Sequence, residues 1–265
     1  MKKIKIYCVT NKKINFLNKP EYKLAWVGKE NAPENYIKCN DKDNIFYKEK
    51  YYSELTFHYW YWKNLLNAES DDEWIGFCQK RRYWVKSERE LAIDKKNLNE
   101  NLLTNLENAK EDFNSIICSP IVVSGAKKIK ILKRGWKNLI KHPQILFLKN
   151  KQNIQFHFDM HHGYGNLEKA INLLDNNDKL DFSKYVKTQT KFNPNIMFIA
   201  KKEVLNNWFG SLFPWLERCE KFFGFKNLKG YDTTRLYAFL AERYLSYWFK
   251  KYTNHKEQPW VFIDE

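Results

Sequence analysis

The sequence predicts an α/β fold in which helices flank a mostly parallel sheet. Short apolar runs of the length of buried strands alternate with longer segments that suit helices. A content of 43% hydrophobic and 17% aromatic residues excludes a disordered chain, and 265 residues are enough to bury a sizeable core. We therefore expect one domain over residues 1–265, with a helical C-terminal part and a basic insertion at about residues 124–155.

Each predicted element rests on a local pattern. Apolar runs bounded by polar or glycine residues predict strands at residues 3–9, 22–27, 74–78, 113–123 and 195–200. Apolar residues at helical spacing predict helices at residues 53–66, 99–108, 166–174, 202–223 and 237–249. Aromatic and aliphatic side chains cover most of the circumference of the first of these helices, so we expect it to be buried on several sides.

The positive charge is concentrated in one part of the chain. Lys and Arg number 46 against 31 Asp and Glu, which gives a net charge of +15. No acidic residue lies between Phe113 and Phe158, whereas basic residues recur through that stretch, namely Lys127, Lys128, Lys130, Lys133, Arg134, Lys137, Lys141, Lys149 and Lys151. Trp136, Leu139 and Ile140 interleave with these charges and predict a short interfacial helix that ends near Pro143. The segment is either a solvated loop or a peripheral contact with an anionic membrane, spanning Lys127 to Lys151.

Several other classes of protein lack support in the sequence. No apolar run of 18 residues occurs and no apolar signal stretch follows Met1, so we expect a cytoplasmic protein. The five cysteines form no CxxC pair and are expected to be buried as small apolar residues. The alternative to an enzyme is a basic, non-enzymatic module that binds nucleic acid or an anionic surface. No recognised nucleic-acid-binding motif is present, and we expect no nucleic-acid partner.

Two arginines and a tyrosine directly follow the predicted strand at residues 74–78. In open α/β sheets, ligands bind beyond the carboxyl ends of the strands. The paired donors of Arg81 and Arg82 would suit a phosphate or diphosphate there, with Tyr83 beside them. The alternative is a solvated basic turn.

The densest group of titratable side chains runs from His157 to His162. We treat this segment as a strand, which would put Asp159 and His161 on one face and His162 on the other. A metal site, an acid/base or phosphate-contacting histidine, and purely structural histidines are the three open interpretations.

Charged residues inside apolar helices are further candidates. Glu242 and Arg243 lie in an otherwise apolar helix with Arg235 two turns earlier, and Glu54 lies in the aromatic helix. Each is either part of a structural ion pair or a site residue. Asp43 and Asn44 precede the aromatic helix and either cap it or contact a nucleotide.

Read together, these motifs form an ordered set that extends from near residue 4 to near residue 249. Its members are Lys5-Ile6-Tyr7, Asp43-Asn44-Ile45, Tyr52-Ser53-Glu54-Leu55-Thr56, Tyr59-Trp60-Tyr61-Trp62-Lys63-Asn64, Trp74-Ile75-Gly76-Phe77-Cys78, Arg81-Arg82-Tyr83, His162 before Asn166-Leu167, Asn195-Ile196-Met197-Phe198-Ile199, Lys201-Lys202-Glu203 and Phe239-Leu240-Ala241-Glu242-Arg243. The set resembles the DUF4422 group of bacterial capsule, lipopolysaccharide and exopolysaccharide glycosyltransferases. Gln79-Lys80 departs from the His-Tyr pair usual in that group, and Ile196 interrupts its Asn-Met-Phe-Ile motif.

The resemblance implies a GT-A-like, Rossmann-type glycosyltransferase that uses a nucleotide sugar, with UDP-linked galactofuranose or galactose favoured. The acceptor would be lipid-linked or an oligosaccharide, and the reaction an inverting displacement. Most GT-A enzymes hold a divalent metal with an Asp-x-Asp motif, which is absent after Cys78, so we expect arginine charge to replace metal charge, while leaving Mn²⁺ or Mg²⁺ open. The expected roles are a catalytic base among Asp159, His162 and Glu242, diphosphate contacts from Arg81, Arg82, Arg235 and Arg243, nucleoside contacts from Asp43 and Asn44, and an acceptor pocket with Glu54, Tyr83 and Asn195.

Overall fold

The computed structural model describes residues 2–87, 92–106 and 112–264. The strands are β1 Lys2–Thr10, β2 Tyr22–Trp26, β3 Ile37–Lys38, β4 Trp74–Gln79, β5 Arg82–Trp84, β6 Asn105–Leu106, β7 Ser115–Cys118, β8 Ile121–Val122, β9 Lys191–Phe192, β10 Phe198–Lys201, β11 His255–Gln258 and β12 Trp260–Phe262. The helices are α1 Glu49–Tyr52, α2 Leu55–Asn64, α3 Leu98–Asn101, α4 Lys128–Arg134, α5 Trp136–Lys141, α6 Ile154–His162, α7 Asn166–Ile171, α8 Asn176–Thr188, α9 Lys202–Phe223, α10 Tyr231–Thr234 and α11 Leu236–Tyr252.

The central sheet is mostly parallel, which confirms the predicted α/β class. Its main path runs β11-β7-β10-β4-β1-β2-β3, and β5, β6 and β12 pair at its margins. Strand β1 is parallel to both β2 and β4, β2 is parallel to β3, and β7 is parallel to β11. Strand β10 is antiparallel to both of its neighbours, β4 and β7. Gly76 in β4 permits this close packing, because an added Cβ would lie 2.8 Å from the Ile199 side chain in β10.

The chain divides into two compact units, which we describe separately. The first unit contains Met1–Ser119, Asn195–Ser211 and Trp248–Glu265, and the second contains Pro120–Pro194 and Leu212–Tyr247. The central sheet belongs to the first unit, and the small β8-β9 sheet belongs to the second. Helices α9 and α11 each contribute residues to both units.

Aromatic packing between α2 and the sheet forms much of the core of the first unit. The Tyr7 ring of β1 lies 4.9 Å from the Tyr61 ring and 5.5 Å from the Phe57 ring, both on α2. His58 is buried against Phe77 of β4, with ring centroids 4.5 Å apart, and burial lowers the pKa of His58 to about 3. The prediction that this aromatic helix is buried is therefore confirmed. The packing also fixes α2 against the two central parallel strands.

The second unit is mostly helical. A buried carboxylate joins two of its helices, because Asp178 of α8 accepts hydrogen bonds from Tyr244 at 2.6 Å and Tyr247 at 2.9 Å, both on α11. A smaller apolar cluster lies between α4, α6 and the 3-10 turn Pro143–Leu146. Helix α5 confirms the short helix predicted before Pro143.

Three sequence predictions of local structure are wrong. Residues 157–162 form a helix rather than a strand. Within residues 99–108, only the end of α3 is helical, β6 follows it, and residues 107–108 lie outside the described residues. The strand predicted at residues 113–123 is divided, with β7 in the central sheet and β8 paired to β9.

Two further expectations can be compared with the described part of the chain. All five cysteines are buried, as predicted. No helix within the described ranges is both long enough and apolar enough to cross a membrane. The single-domain description stays a prediction.

Candidate active site

The carboxyl ends of the parallel strands define one candidate region, within the first unit. The registers Thr10↔Trp26, Trp26↔Lys38 and Val9↔Gln79 place the ends of β1, β2, β3 and β4 at one edge of the sheet. The main-chain N–H of Lys80 donates to the carbonyl of Val9 at 2.9 Å, and its ammonium donates to the Asn11 side chain. The loops after β1 and β4 are thus joined, at the edge where open α/β sheets bind ligands.

Arg81 and Arg82 lie in the turn that follows β4. Arg81 adopts a φ of +74°, which turns the chain back into β5. Its guanidinium lies 4.6 Å from the centre of the Phe262 ring and donates to Asp264 at 2.8 Å, and Arg82 lies 5.4 Å from the same ring. Because the Asp264 carboxylate is 80% exposed, a ligand anion can displace it from Arg81. The arginines are therefore ordered against an aromatic ring rather than freely solvated.

The nucleoside candidates make local contacts. The Asn44 Oδ1 atom accepts from the Phe46 main-chain N–H at 3.1 Å and so shapes the 3-10 turn Phe46–Lys48. Asp43 accepts from the Tyr59 hydroxyl at 3.2 Å. Neither side chain caps α2, whose N-cap residue is Glu54, so the capping interpretation for the aromatic helix is wrong. Both residues follow β3 and so follow the carboxyl edge of the sheet.

The three acceptor-pocket candidates have different environments. Tyr83 is only 1% exposed and packs in the core with Phe16 at 5.9 Å, so core side chains rather than an open pocket surround its ring. Asn195 is buried at a φ of +64°, a conformation that asparagine tolerates better than most residues. Glu54 is half-buried at the start of α2, where its carbonyl accepts from His58.

Helix α6 organises a second candidate region, within the second unit. It begins where the Asn153 side chain accepts from the Phe156 main-chain N–H at 2.9 Å, and it ends at Gly163 with a φ of +98°. The helical spacing brings His157 and His161 together, with ring centroids 4.7 Å apart. The shared face predicted for Asp159 and His161 was wrong, because it assumed the alternation of a strand.

Arg243 is the centre of a charged cluster between α6 and α11. It is buried, donates to the Glu242 carboxylate and lies 3.3 Å from Nδ1 of His157. Its guanidinium also stacks 4.2 Å from the centre of the Phe192 ring. Glu242 and Arg243 therefore form an ion pair, one of the two interpretations that the sequence left open. Half-buried Arg235 lies at the C-cap of α10, and its carbonyl accepts from Phe239.

The three histidines of α6 are held neutral at physiological pH. Burial and the Arg243 guanidinium lower the pKa of His162 to about 3 and bring that of His157 well below its usual range. Burial, Lys130 and Arg134 lower the pKa of His161 to about 4. His162 is packed on the Phe239 ring at 3.7 Å and contacts the Asp232 carbonyl at 3.0 Å. An imidazole with such a low pKa is a weak base, which disfavours His162 as the catalytic base.

The pKa of Asp159 is shifted upward, unlike the lowered pKa values of the three histidines. Burial raises the pKa of its carboxyl to about 6, although hydrogen bonds from the Gly165 main chain and the Asn138 side chain partly oppose this rise. The residue lines a cavity of about 370 Å³, whose other lining residues include Lys141, Tyr164 and Glu168. A carboxylate with a pKa near neutrality, beside an open cavity, can take a proton from a ligand hydroxyl at physiological pH.

The charged residues near these regions offer little to a metal ion. No group of three histidine, cysteine or acidic side chains suited to a metal occurs in the part of the chain that the structure describes. Lys80, Arg81 and Arg82 occupy the turn after β4, and cationic side chains do not ligate a divalent cation. The turn after β4 therefore offers no side-chain ligand to Mn²⁺ or Mg²⁺.

The fold and these regions define a class: an α/β protein with a mostly parallel sheet and polar residues at the carboxyl edge of that sheet. The fold is similar to that of the WbbM bifunctional glycosyltransferase in its apo structure, with a TM-score of 0.73 and 19% sequence identity. The similarity covers 99% of this chain and 46% of WbbM, so the chain spans about half the length of that protein. Among curated proteins, none matches the chain.

Residues 5–255 match the family described as a domain of unknown function, DUF4422. The chain belongs to this family, which confirms the resemblance noted from its motifs.

Sequence reasoning missed several residues that the structure brings to the two regions. Asn11 lies beside Lys80 at the sheet edge, and Lys141, Tyr164 and Lys187 line the Asp159 cavity. The signal for Asn11 was its position two residues after the strand predicted at residues 3–9. The residues that line the Asp159 cavity come from separate elements. They lie close together only because α6 is a helix.

Proposed function

We propose that this protein is a glycosyltransferase that moves a sugar, with galactofuranose or galactose favoured, from a UDP-linked donor to a lipid-linked or oligosaccharide acceptor. The observation that carries the proposal is the fold similarity to WbbM, a bifunctional glycosyltransferase, along 99% of this chain. Membership of the DUF4422 family and the ordered arginines after β4 support it.

The chemistry needs a base for the acceptor and a cation for the leaving group. In an inverting displacement the acceptor oxygen attacks the anomeric carbon, the bond from that carbon to the diphosphate oxygen breaks, and the acceptor proton leaves to a base. Within the second unit, Asp159 is the residue whose properties suit such a base, because its raised pKa of about 6 leaves it ionised yet basic near neutral pH. His162, with a pKa of about 3, is too weak a base, and the Glu242 carboxylate is engaged by Arg243.

We assign Arg81 and Arg82 to the negative charge that develops on the departing nucleoside diphosphate. Their planar guanidiniums offer paired donors to phosphate oxygens, and Phe262 holds both in place. Arg243 is buried and engaged with Glu242, and we give it a structural role in supporting α6. This choice makes the reaction independent of an added divalent ion.

The direct test measures UDP release from a panel of UDP-sugars by the full chain with a glycan acceptor. Changing both Arg81 and Arg82 to Gln should lower the rate by at least about 100-fold. Arg218→Gln is a matched control, since Arg218 is 36% exposed and paired to an exposed carboxylate, as Arg81 is at 37%. No turnover with any nucleotide sugar would contradict the proposed function, and full activity in the double variant would remove the arginines from it.

Metal independence has its own test. Activity should persist in excess EDTA, because the turn after β4 carries cations where a metal-binding enzyme would carry carboxylates. Loss of activity in EDTA with recovery in Mn²⁺ would show that a metal ion takes part.

A further inference from the structure

The basic segment from Lys127 to Lys151 has apolar side chains on two sides. On its inner side, Ile131 of α4 and Ile145 of the following 3-10 turn are buried against Phe156 and Met160 of α6. This contact anchors the segment on the second unit. It uses only part of the apolar surface that the segment carries.

Leu139 and Leu146 also pack on this inner cluster, but six other large apolar side chains of the segment are exposed. They are between 46% and 75% exposed, and we call them the outward apolar row: Ile129, Leu132, Trp136, Ile140, Phe147 and Leu148. The first four recur at intervals of three or four residues, the spacing of one helical face, although Gly135 separates α4 from α5. Water-soluble surfaces seldom collect so many large apolar side chains in so short a segment without a partner.

Positive charge surrounds the outward apolar row. All the basic residues of the segment are exposed, and the chain from Phe113 to Phe158 contributes no acidic residue to balance them. Arg134 is engaged with Asp232 at 3.2 Å, and Lys141 lies 5.5 Å from the Tyr164 ring. Most of the remaining lysines extend into solvent.

We propose that the segment docks on an anionic lipid surface, with the outward apolar row inserted at the headgroup boundary and the lysines against anionic headgroups. Lysines near such a surface are attracted to its anionic headgroups, and exposed aromatic and aliphatic side chains bury apolar surface in it. The proposal concerns binding alone and holds whether or not the protein transfers a sugar.

Two other occupants fit the observations less well. A second copy of the chain would bring two positive surfaces together in a symmetric contact, with no acidic residues from this segment to compensate. A nucleic acid would satisfy the lysines but leave the outward apolar row in water. Only a lipid surface offers anionic headgroups and an apolar interior side by side.

Vesicle flotation tests the proposal with the full chain. The protein should bind vesicles of phosphatidylcholine with about 30% phosphatidylglycerol at least about tenfold better than pure phosphatidylcholine vesicles. Changing Ile129, Ile140 and Phe147 together to Ser should lower binding to the anionic vesicles by at least about tenfold. Leu180→Ser is the matched control, because Leu180 is 78% exposed on α8 and lies outside the segment.

A site-specific probe distinguishes insertion from charge attraction alone. Because all five native cysteines are buried, a cysteine introduced by Phe147→Cys can be labelled selectively with a polarity-sensitive dye. Its emission should shift to the blue on addition of anionic vesicles, and that of a label at Leu180→Cys should not.

Equal recovery with both vesicle types, or a label at position 147 that stays in water, would overturn the proposal. So would a concentration-dependent dimer that the triple serine variant abolishes, or tight nucleic-acid binding at physiological salt that the same variant leaves unchanged. The comparison of vesicle types uses the unmodified protein and so does not depend on any variant folding.

Discussion

At the scale of single residues, the environment of Asp159 separates it from the other candidate bases. The histidines of α6 have lowered pKa values, whereas the carboxyl pKa of Asp159 is raised to about 6 by burial. The pKa values of these neighbouring groups thus shift in opposite directions from one cause. Burial disfavours the charged form of each group, which lowers the pKa of an imidazole and raises that of a carboxyl.

The pH dependence of stability follows from this shift. Because the pKa of Asp159 is higher in the folded than in the unfolded chain, its contribution to stability is fully present below about pH 4 and is lost as the pH rises through about 6. Asn at position 159 does not ionise, so Asp159→Asn removes this loss of stability at high pH. Its side-chain oxygen can still accept the hydrogen bond from the Gly165 N–H. The free energy of unfolding at pH 8 should therefore rise by about 2–3 kcal/mol, as measured by urea denaturation.

Under the proposed function, the same substitution should lower kcat by about 10²–10⁴-fold through loss of the base. The activity of the unmodified protein should rise with pH, with a midpoint near pH 6. A variant that is both more stable and inactive would separate a catalytic role from a structural one. An active Asp159→Asn protein would exclude Asp159 as the base.

The pair Glu242 and Arg243 makes a different prediction. Glu242→Ala would leave a buried guanidinium without its carboxylate, and should lower the free energy of unfolding by about 3–5 kcal/mol. The double variant Glu242→Ala with Arg243→Met removes the buried charge as well, so it should recover part of that loss. A double variant less stable than either single variant would contradict the structural role that we assign to the pair.

At the scale of elements, sequence patterns predicted the ranges of several strands and helices. They missed the features that depend on contacts with distant segments. The predicted range of α9 matches the observed helix, and β1, β2 and β4 were predicted within two residues of each boundary. The antiparallel direction of β10 carries no local signal, since a strand of apolar residues reads alike in either direction. The site was predicted only as candidate residues, because the Asp159 cavity assembles side chains from several helices.

Helix α6 shows why one prediction failed. Ile154, Phe156, Phe158 and Met160 alternate strictly with polar residues, which is the pattern of a strand, although the segment is helical. The deciding residues lie outside it, in the Asn153 cap and the Gly163 stop. Start and stop signals therefore hold more information here than the side chains between them.

The turn after α6 allows a matched pair of variants. Gly163 and Gly165 both have positive φ, at +98° and +75°, but only at Gly163 would an added Cβ clash, with the side-chain amide of Asn166. Gly165→Ala should cost about 1 kcal/mol for its backbone conformation alone. Gly163→Ala should be clearly more destabilising in thermal melts, and equal losses would show that the contact with Asn166 relaxes freely.

At the scale of the whole molecule, the charge of +15 is unevenly distributed and should make stability depend on salt. Repulsion among the exposed lysines of α4 and α5 opposes folding and is screened by added ions. The Tm should rise between about 20 mM and about 200 mM NaCl. Changing Lys128, Lys133 and Lys137 together to Gln should reduce that rise, and an unchanged salt response would mean that the repulsion lies elsewhere.

The pairing of β12 with β5 has a consequence for the order in which the sheet is made. Trp260 lies opposite Trp84, so β5 receives this partner only after roughly 180 further residues have been synthesised. β11 likewise reaches β7 late. During translation β5 and β7 therefore have unpaired edges, and these margins of the sheet close only after β11 and β12 have emerged from the ribosome.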